Sequence, residues 1–309
     1  MQLKHLQRML LQRQQRLNRL ISAGLSGLLG PAFFYRKSTG PLYKMLALRR
    51  KVLTDSYAYF KQRVLGLTGI DLNYYREEQM KRRIDALIRK NKCFSYDSFI
   101  ELLVADKNKF DEFVNYLTIN VSEFWRNPDQ WRILENDVIP EFRKKIHINI
   151  WSAACSTGDE PYSLAMLMLK YYSPEKFSIL ATDIDKQVLK TAEAGIYDNR
   201  SLKGLPADIS CGYLEKLPDG RLRICDKVRS CVTFKQQNLL NSFYPGNMDL
   251  IVCRNVLIYF TEEAKNKICR GFNNSLNKDG VLFIGSTEQI MYPEKIGFKQ
   301  TSSFFYKKM

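Results

Sequence analysis

Residues 149–166, N-I-W-S-A-A-C-S-T-G-D-E-P-Y-S-L-A-M, constrain the fold more than any other stretch of the sequence. An apolar, β-branched run that starts at Ile146 gives way to five small residues at 152–156. Gly158 then precedes a helix with Pro161 near its first position. Strand, small-residue turn and helix predict a nucleotide site in an open α/β sheet, because small side chains let the backbone approach a ligand. An ordinary βα turn in a parallel sheet is the alternative.

The next predicted strand, residues 177–185, strengthens the nucleotide interpretation. It carries Asp183, 25 residues after Gly158, where a carboxylate can bind ribose hydroxyls. The turn holds a single glycine, so it lacks the G-x-G-x-x-G fingerprint. This argues against a nicotinamide dehydrogenase.

The order of the predicted elements indicates an α/β fold with a doubly wound, Rossmann-like sheet and an antiparallel edge. Buried strands at 248–253 and 280–285 flank a helix at 261–276 whose N-cap is Thr261, and residues 297–307 are typical of a terminal antiparallel pair. Residues 204–230 are rich in turn-forming residues and too long for a routine connection. They predict an inserted small β-subdomain.

Helical periodicity defines a second domain in front of the sheet. Residues 54–120 predict a small all-helical domain, with helices at 55–65, 73–91, 95–104 and 107–119. Residues 121–146 form a linker and a connecting helix at 129–144 opened by Pro128, and residues 147–309 form the α/β domain.

Residues 1–50 stand apart because they contain ten Lys and Arg residues and no acid, within a total net charge of +16. We expect this basic extension to be disordered or the product of a start placed too early, with translation beginning near Met45, Val52 or Leu53. A transit peptide and an arm that binds nucleic acid or a membrane surface are the alternatives.

Composition narrows the function classes. The sequence has no run of 18 apolar residues, so we expect no membrane insertion. Seven scattered cysteines form no C-x-x-C pair, which indicates reduced thiols in a cytoplasmic protein. The two histidines, His5 and His147, offer no metal cluster or catalytic triad, and we expect no metal. Outside the extension 38 basic residues face 32 acidic ones, so nucleic acid is not the expected partner.

Two polar stretches admit both a structural and a functional explanation. The helix expected at 73–91 has basic faces that include Lys81, Arg82 and Arg83, which are either solvated or a docking surface for an acidic partner. The segment at 120–126 mixes aromatic and polar side chains. It is either an interdomain hinge or part of the site.

Four motifs in register give the chain a resemblance to a known family. The chain resembles the chemotaxis receptor methyltransferases, the CheR family, at four motifs. In chain order these are N-V-S-E-F-W-R, W-S-A-A-C-S-T-G-D-E-P-Y-S-L-A-M, A-T-D-I-D and C-R-N-V-L-I-Y-F. The resemblance runs from about residue 55 to residue 307. It implies an enzyme that transfers a methyl group from S-adenosylmethionine to glutamate side chains on the cytoplasmic domain of membrane chemoreceptors. S-adenosylhomocysteine is the implied product.

The resemblance also implies roles for residues matched by motif. Those implied to contact the cofactor lie in the linker, the βα turn and the ends of later strands: Asn120, Ser122, Arg126, Gly158, Glu160, Asp183, Asn238, Leu239, Arg254 and Asn255. Arg126 and Tyr259 are implied to lie nearest the transferred methyl group. The sequence departs from the family pattern at Ser122 (usually Thr), at Asp159 (usually Glu) and at G-S-T-E, residues 285–288, where G-H-S-E is common.

Residue chemistry agrees with a carboxylate as the methyl acceptor. A glutamate with a pKa of about 4.3 is ionised at neutral pH, so it needs no general base. Arg126 is suited to hold a carboxylate through paired N–H donors, and the Tyr259 hydroxyl can add one hydrogen bond. The alternatives are that Arg126 binds the carboxylate of the cofactor and that Tyr259 is a packing residue.

Two other functions stay open from the sequence. A nucleic-acid methyltransferase is favoured by the total charge, but the residues after the fourth strand lack a Pro-Pro-aromatic run. The second open function is a regulatory module that binds S-adenosylmethionine as a signal and catalyses no reaction.

Overall fold

Two domains make up the part of the chain that the computed structural model describes, residues 56–241 and 243–309. The helical domain contains α1 (Tyr57–Thr68), α2 (Glu77–Lys90), α3 (Tyr96–Ala105) and α4 (Lys107–Thr118). Phe60, Phe99 and Phe113 pack against one another at the centre of its core. The basic extension of residues 1–50, with its alternative starts, lies outside the described residues.

The α/β domain alternates strands and helices. Its strands are β1 (Ile148–Ala153), β2 (Phe177–Asp183), β3 (Ile196–Tyr197), β4 (Leu214–Lys216), β5 (Leu222–Ile224), β6 (Val232–Gln236), β7 (Met248–Cys253), β8 (Leu276–Ile284), β9 (Phe298–Ser302) and β10 (Phe305–Lys308). Its helices, with the connecting helix, are α5 (Pro128–Ile133), α6 (Asp159–Leu169), α7 (Lys186–Ala194), α8 (Ala207–Ser210), α9 (Asp226–Arg229) and α10 (Glu262–Ser275).

Seven of these strands form one sheet in the order β6-β2-β1-β7-β8-β10-β9. The five from β6 to β8 are parallel, and β10 lies antiparallel between β8 and β9. The chain therefore winds from β1 outward to β6, then crosses back to β7. This confirms the doubly wound sheet with an antiparallel edge, and it places the point where the winding reverses between β1 and β7, where such sheets bind ligands.

The inserted subdomain is larger than the sequence predicts. The expected insert at 204–230 contains β4 and β5, but their small sheet has the order β3-β5-β4. The strand β3 precedes the insert, and Ile196 pairs with Arg223. A two-residue strand carries too little periodicity to be detected, and only its pairing with β5 defines it.

Two helices also differ from their expected limits. The helix expected at 73–91 begins at Glu77, because Asp71 caps a short 3-10 turn at Leu72–Tyr74 and Tyr75 is extended (φ −99°, ψ 154°). The connecting helix begins at Pro128, widens into a π-helical segment at Leu134–Val138 and tightens into a 3-10 helix at Ile139–Lys144. Pro140 lacks an N–H group, which explains why α-helical pairing fails there.

Among the described residues, no helix is both long and apolar enough to cross a membrane.

Candidate active site

The turn after β1 is built from strained backbone and fastened to the neighbouring strand. Ala154 and Ser156 have positive φ angles of 66° and 49°, and Gly158 has a φ of 92°. A Cβ atom at Gly158 would lie 2.9 Å from the Ala192 methyl, so only glycine fits. The Ser156 N–H donates to Asp183 Oδ2 at 2.8 Å, which ties the turn to the end of β2.

Asp183 is buried at the carboxyl end of β2, as the sequence predicts. Its second oxygen accepts from the N–H of Asp185 at 3.0 Å. Burial raises the pKa of Asp183, and the backbone N–H groups oppose that rise. Asn120 does not reach Asp183 by a hydrogen bond; its amide donates to Asp185 Oδ2 at 2.8 Å. Asp185, which the sequence analysis did not single out, therefore anchors the linker and also caps α7 by accepting from the Gln187 N–H.

One cavity brings several predicted residues together. It lies at the carboxyl ends of β1, β2, β6 and β7, and its walls include Ala154, Asp183, Asn238, Leu239 and Tyr259. Its remaining walls include three residues of the helical domain, Tyr75, Leu117 and Thr118. The cavity thus lies at the reversal point of the sheet, where a parallel α/β sheet binds its ligand.

A buried ion pair lies beside the first turn of α6. Glu160 accepts a hydrogen bond from the Ser152 hydroxyl at 2.8 Å and faces Arg254 Nη1 at 3.7 Å. Burial raises the pKa of Glu160 and lowers the pKa of Arg254. Each charge offsets part of the desolvation cost of the other, so losing one partner would leave an uncompensated charge.

Arg254 also fixes the linker. Its Nη2 donates to the carbonyl of Arg126 at 2.6 Å, to Asn127 Oδ1 at 3.0 Å and to Gln130 Oε1 at 2.9 Å. Its guanidinium lies 4.8 Å from the centre of the Phe283 ring. The Nη2 group of Arg254 is thus used by the linker, whereas its buried Nε has no hydrogen-bond partner among the described residues.

Two stacked indole rings fix the backbone of the linker at Arg126. The rings of Trp125 and Trp131 stack with centres 4.6 Å apart, and Trp131 Nε1 donates to the Arg126 carbonyl at 3.0 Å. The half-buried guanidinium of Arg126 lies near Glu160 and lowers the pKa of that carboxyl. Within residues 56–241 and 243–309, no group hydrogen-bonds or ion-pairs with this guanidinium.

Two departures from the family pattern contact each other. Burial raises the pKa of Asp159, and the hydroxyls of Thr157 and Ser122 oppose that rise. Asp159 is also bonded to the Thr157 hydroxyl at 2.6 Å. Ser122 is not among the residues that line the cavity with Asp183.

A buried carboxylate that the sequence analysis passed over holds the loop after β7. Glu288 accepts from the N–H groups of Gly285 at 2.6 Å, Leu257 at 2.7 Å and Asn255 at 2.9 Å. Asn255 is left-handed (φ 60°), and its Oδ1 is buried without a partner among the described residues. The G-S-T-E motif at residues 285–288 is the signal in the sequence that contains this glutamate.

The basic residues of α2 do not form one patch. Lys81 and Arg82 are exposed, whereas Arg83 is half-buried and donates from Nη2 to the Tyr116 carbonyl at 2.7 Å. The Arg83 guanidinium also lies 4.4 Å from the centre of the Tyr116 ring. Arg83 therefore joins α2 to α4, and Lys81 and Arg82 are the freely accessible members.

Comparisons with known proteins agree with this architecture. Two family models match consecutive parts of the chain: the CheR methyltransferase all-alpha domain at residues 55–118 and the CheR methyltransferase SAM-binding domain at residues 120–305. The chain is 41% identical over 259 residues to a chemotaxis protein methyltransferase of Listeria innocua, covering 83% of this chain and 98% of that protein. It is also similar to proteins of the same name from two other bacteria. The identity is 34% over 246 residues with the protein of Vibrio parahaemolyticus, covering 76% of this chain and 90% of that protein. It is 33% over 236 residues with the protein of Borreliella burgdorferi, covering 72% of this chain and 83% of that protein.

Proposed function

The chain belongs to the CheR methyltransferase family, and from that premise we propose that it methylates glutamate side chains on the cytoplasmic domain of membrane chemoreceptors, acting in the cytoplasm. The observation that carries the proposal is the cavity at the carboxyl ends of the parallel strands, with Asp183, Asn238 and Tyr259 in its walls. A nucleotide-like methyl donor fits such a position.

The residues around the cavity fit S-adenosylmethionine. Asp183 offers a carboxylate to ribose hydroxyls, and Asn238 and Leu239 offer an amide and an apolar wall to an adenine ring. The buried Oδ1 of Asn255 is an acceptor that has no donor among the described residues. Glu160 supplies negative charge near the first turn of α6, suited to the ammonium or sulfonium group. When bound, the cofactor supplies an electrophilic methyl group on a sulfonium.

Arg126 and Tyr259 carry side chains that are suited to orient a carboxylate acceptor. A glutamate is ionised at neutral pH, so the acceptor enters already nucleophilic and no residue has to remove a proton. The unengaged guanidinium of Arg126 can fix the plane of that carboxylate through two N–H donors. The Tyr259 hydroxyl can donate one more hydrogen bond. Alignment and the exclusion of water then lower the barrier.

Receptor docking is proposed for the exposed basic side of α2. Receptor segments that carry several glutamates are acidic, and Lys81 and Arg82 present positive charge to solvent. The contact of Arg83 with the Tyr116 carbonyl gives it a structural role beside any docking role.

The test of the proposal measures methyl transfer from labelled S-adenosylmethionine to chemoreceptor-bearing membranes. We expect base-labile label on the receptor with the wild-type protein, and a loss of at least about 100-fold in the Arg126→Ala variant, the size expected when a charged donor to the transition state is removed. Arg126→Lys should retain a small fraction of the activity. Arg132→Ala, a charge removal on the exposed surface of the same segment, is the matched control.

Several results would contradict the proposal. Label in RNA or DNA rather than receptor would change the substrate class, and binding of the cofactor without transfer to receptor would make the protein a sensor. Near-normal transfer by Arg126→Ala would remove Arg126 from the mechanism. A loss of S-adenosylhomocysteine affinity in that variant, equal to the loss of transfer, would assign Arg126 to the cofactor carboxylate.

A further inference from the structure

Tyr197 connects the small sheet of β3, β4 and β5 to the turn after β1. It lies in β3, where it pairs with Leu222 of β5, and its side chain is buried. Its hydroxyl donates a hydrogen bond to the Thr157 carbonyl at 2.6 Å. The small sheet therefore reaches the backbone of the turn at residues 154–158, which is also bonded to Asp183.

The Thr157 carbonyl depends on a donor from outside its own helix. It comes just before α6, and the residue four positions later is Pro161, which has no N–H group. The usual bond of a helix between residues four apart is therefore not available to this carbonyl. Burial raises the pKa of Tyr197, so its hydroxyl stays protonated at neutral pH and can act as the donor.

The turn needs such bonds because its backbone is strained. Three of the five residues at 154–158 have positive φ angles. Strained backbone of this kind persists only where the surrounding structure holds it. The bond from the Ser156 N–H to Asp183 holds the turn to β2, and the Tyr197 hydroxyl holds it to the small sheet.

Aromatic contacts fix the ring of Tyr197. It lies edge-on to the ring of Phe124, with the ring centres 4.9 Å apart. Phe124 belongs to the linker, two residues before Arg126. The ring of Tyr162, in α6, also lies edge-on, at 6.4 Å. Tyr197 therefore has little freedom to move its hydroxyl away from the turn.

We propose that Tyr197 is a positioning residue for the cofactor: its hydroxyl holds the turn at 154–158 in the conformation that binds S-adenosylmethionine. The inference rests on the proposed cofactor. It makes the small sheet a support of the cofactor site through the Thr157 carbonyl, because a binding group is only as well placed as the backbone that carries it. A loosened turn then weakens cofactor binding more than it slows transfer from bound cofactor.

Calorimetry with S-adenosylhomocysteine tests the inference without turnover. Tyr197→Phe removes the hydroxyl and keeps the ring that contacts Phe124. Loss of one hydrogen bond that holds the binding conformation should raise Kd by about three- to tenfold. The control is Tyr162→Phe, because the buried Tyr162 hydroxyl donates to the Ala192 carbonyl at 2.7 Å instead of the turn. Its Kd should match the wild-type value, although both variants should melt a few degrees lower.

Two further measurements separate positioning from a general loss of stability. In the ligand-free protein, amide hydrogen exchange at Ser156 should become about three- to tenfold faster in Tyr197→Phe and stay unchanged in Tyr162→Phe. In the transfer assay, KM for S-adenosylmethionine should rise in Tyr197→Phe while kcat stays within about twofold of the wild-type value.

Each contrary outcome has a distinct meaning. Wild-type binding with an unchanged Kd in Tyr197→Phe overturns the role of Tyr197 and leaves the proposed function standing. An equal rise of Kd in Tyr162→Phe overturns it too, because the effect would then follow stability. A fall in kcat as large as the rise in Kd overturns the restriction to cofactor positioning. No binding by the wild-type protein overturns both the inference and the proposed function.

Discussion

Replacing Glu288 by glutamine tests how much the loop after β7 depends on one buried carboxylate. The two carboxylate oxygens accept three backbone N–H groups, those of Gly285 and Asn255 on Oε2 and that of Leu257 on Oε1. Glutamine is nearly the same size but has one acceptor oxygen and one NH₂ group. In either orientation the NH₂ group faces at least one backbone donor.

The expected cost follows from this count. In the better orientation two N–H groups keep a neutral acceptor and one is left buried without a partner. The unsatisfied donor and the loss of charge-assisted bonds together give about 2–4 kcal/mol of lost stability. For a domain of this size that corresponds to a fall in Tm of about 5–15 °C.

Thermal unfolding followed by circular dichroism measures the effect, with urea unfolding as the independent estimate. Glu294→Gln makes the same chemical change at an exposed position and should leave Tm unchanged. Transfer activity should fall further than stability accounts for at the assay temperature, because the loop carries Tyr259. A Tm for Glu288→Gln within about 1 °C of wild type would refute the reasoning, since it would mean that the three N–H groups do not need this acceptor.

Three other perturbations have definite expected outcomes. Gly158→Ala should lower the free energy of unfolding by more than about 2 kcal/mol, because the left-handed backbone and a 2.9 Å contact of the new Cβ atom both disfavour alanine. Gly66→Ala, in helix α1 with open space around it, should raise the free energy of unfolding by about 0.5–1 kcal/mol, and urea unfolding measures both. Lys81→Glu with Arg82→Glu should raise KM for receptor at low salt and leave the Kd for S-adenosylhomocysteine unchanged, and an unchanged KM would return these residues to a solvated surface. Thiol labelling of the native protein should modify Cys211, the exposed cysteine, well before the four buried thiols, whose pKa values burial raises; equal rates would contradict the burial.

The parts of the fold that depend on local chemistry could be predicted from the sequence. The turn at Gly158 follows from small residues between an apolar run and Pro161, and Thr261 caps its helix by accepting from the Ala264 N–H. The position of Asp183 can be predicted because a residue at the carboxyl end of a parallel strand lies beside the turn that follows the neighbouring strand. These features need no information from distant residues.

The parts of the fold and of the site that depend on pairing between distant residues could not be predicted from the sequence. Tyr75 looks helical in the sequence, and only its bridge to Phe260 and the cap at Asp71 make it extended. Arg254 is a cofactor ligand by motif, and the sequence does not show that its Nη2 group also holds the linker through the Arg126 carbonyl and Gln130. In each case the deciding partner lies more than 100 residues away, except for the local cap at Asp71.

The stack of Trp125 on Trp131 has a practical consequence for studies in solution. The sequence has three tryptophans, and the third, Trp151, is enclosed by Tyr244 and Phe272 in the sheet, so its emission should be constant. The two stacked indoles lie on either side of Arg126, one in the linker and one in α5, and Trp131 bonds to the Arg126 carbonyl. Intrinsic fluorescence should therefore record any rearrangement of that linker on ligand addition, without an attached dye.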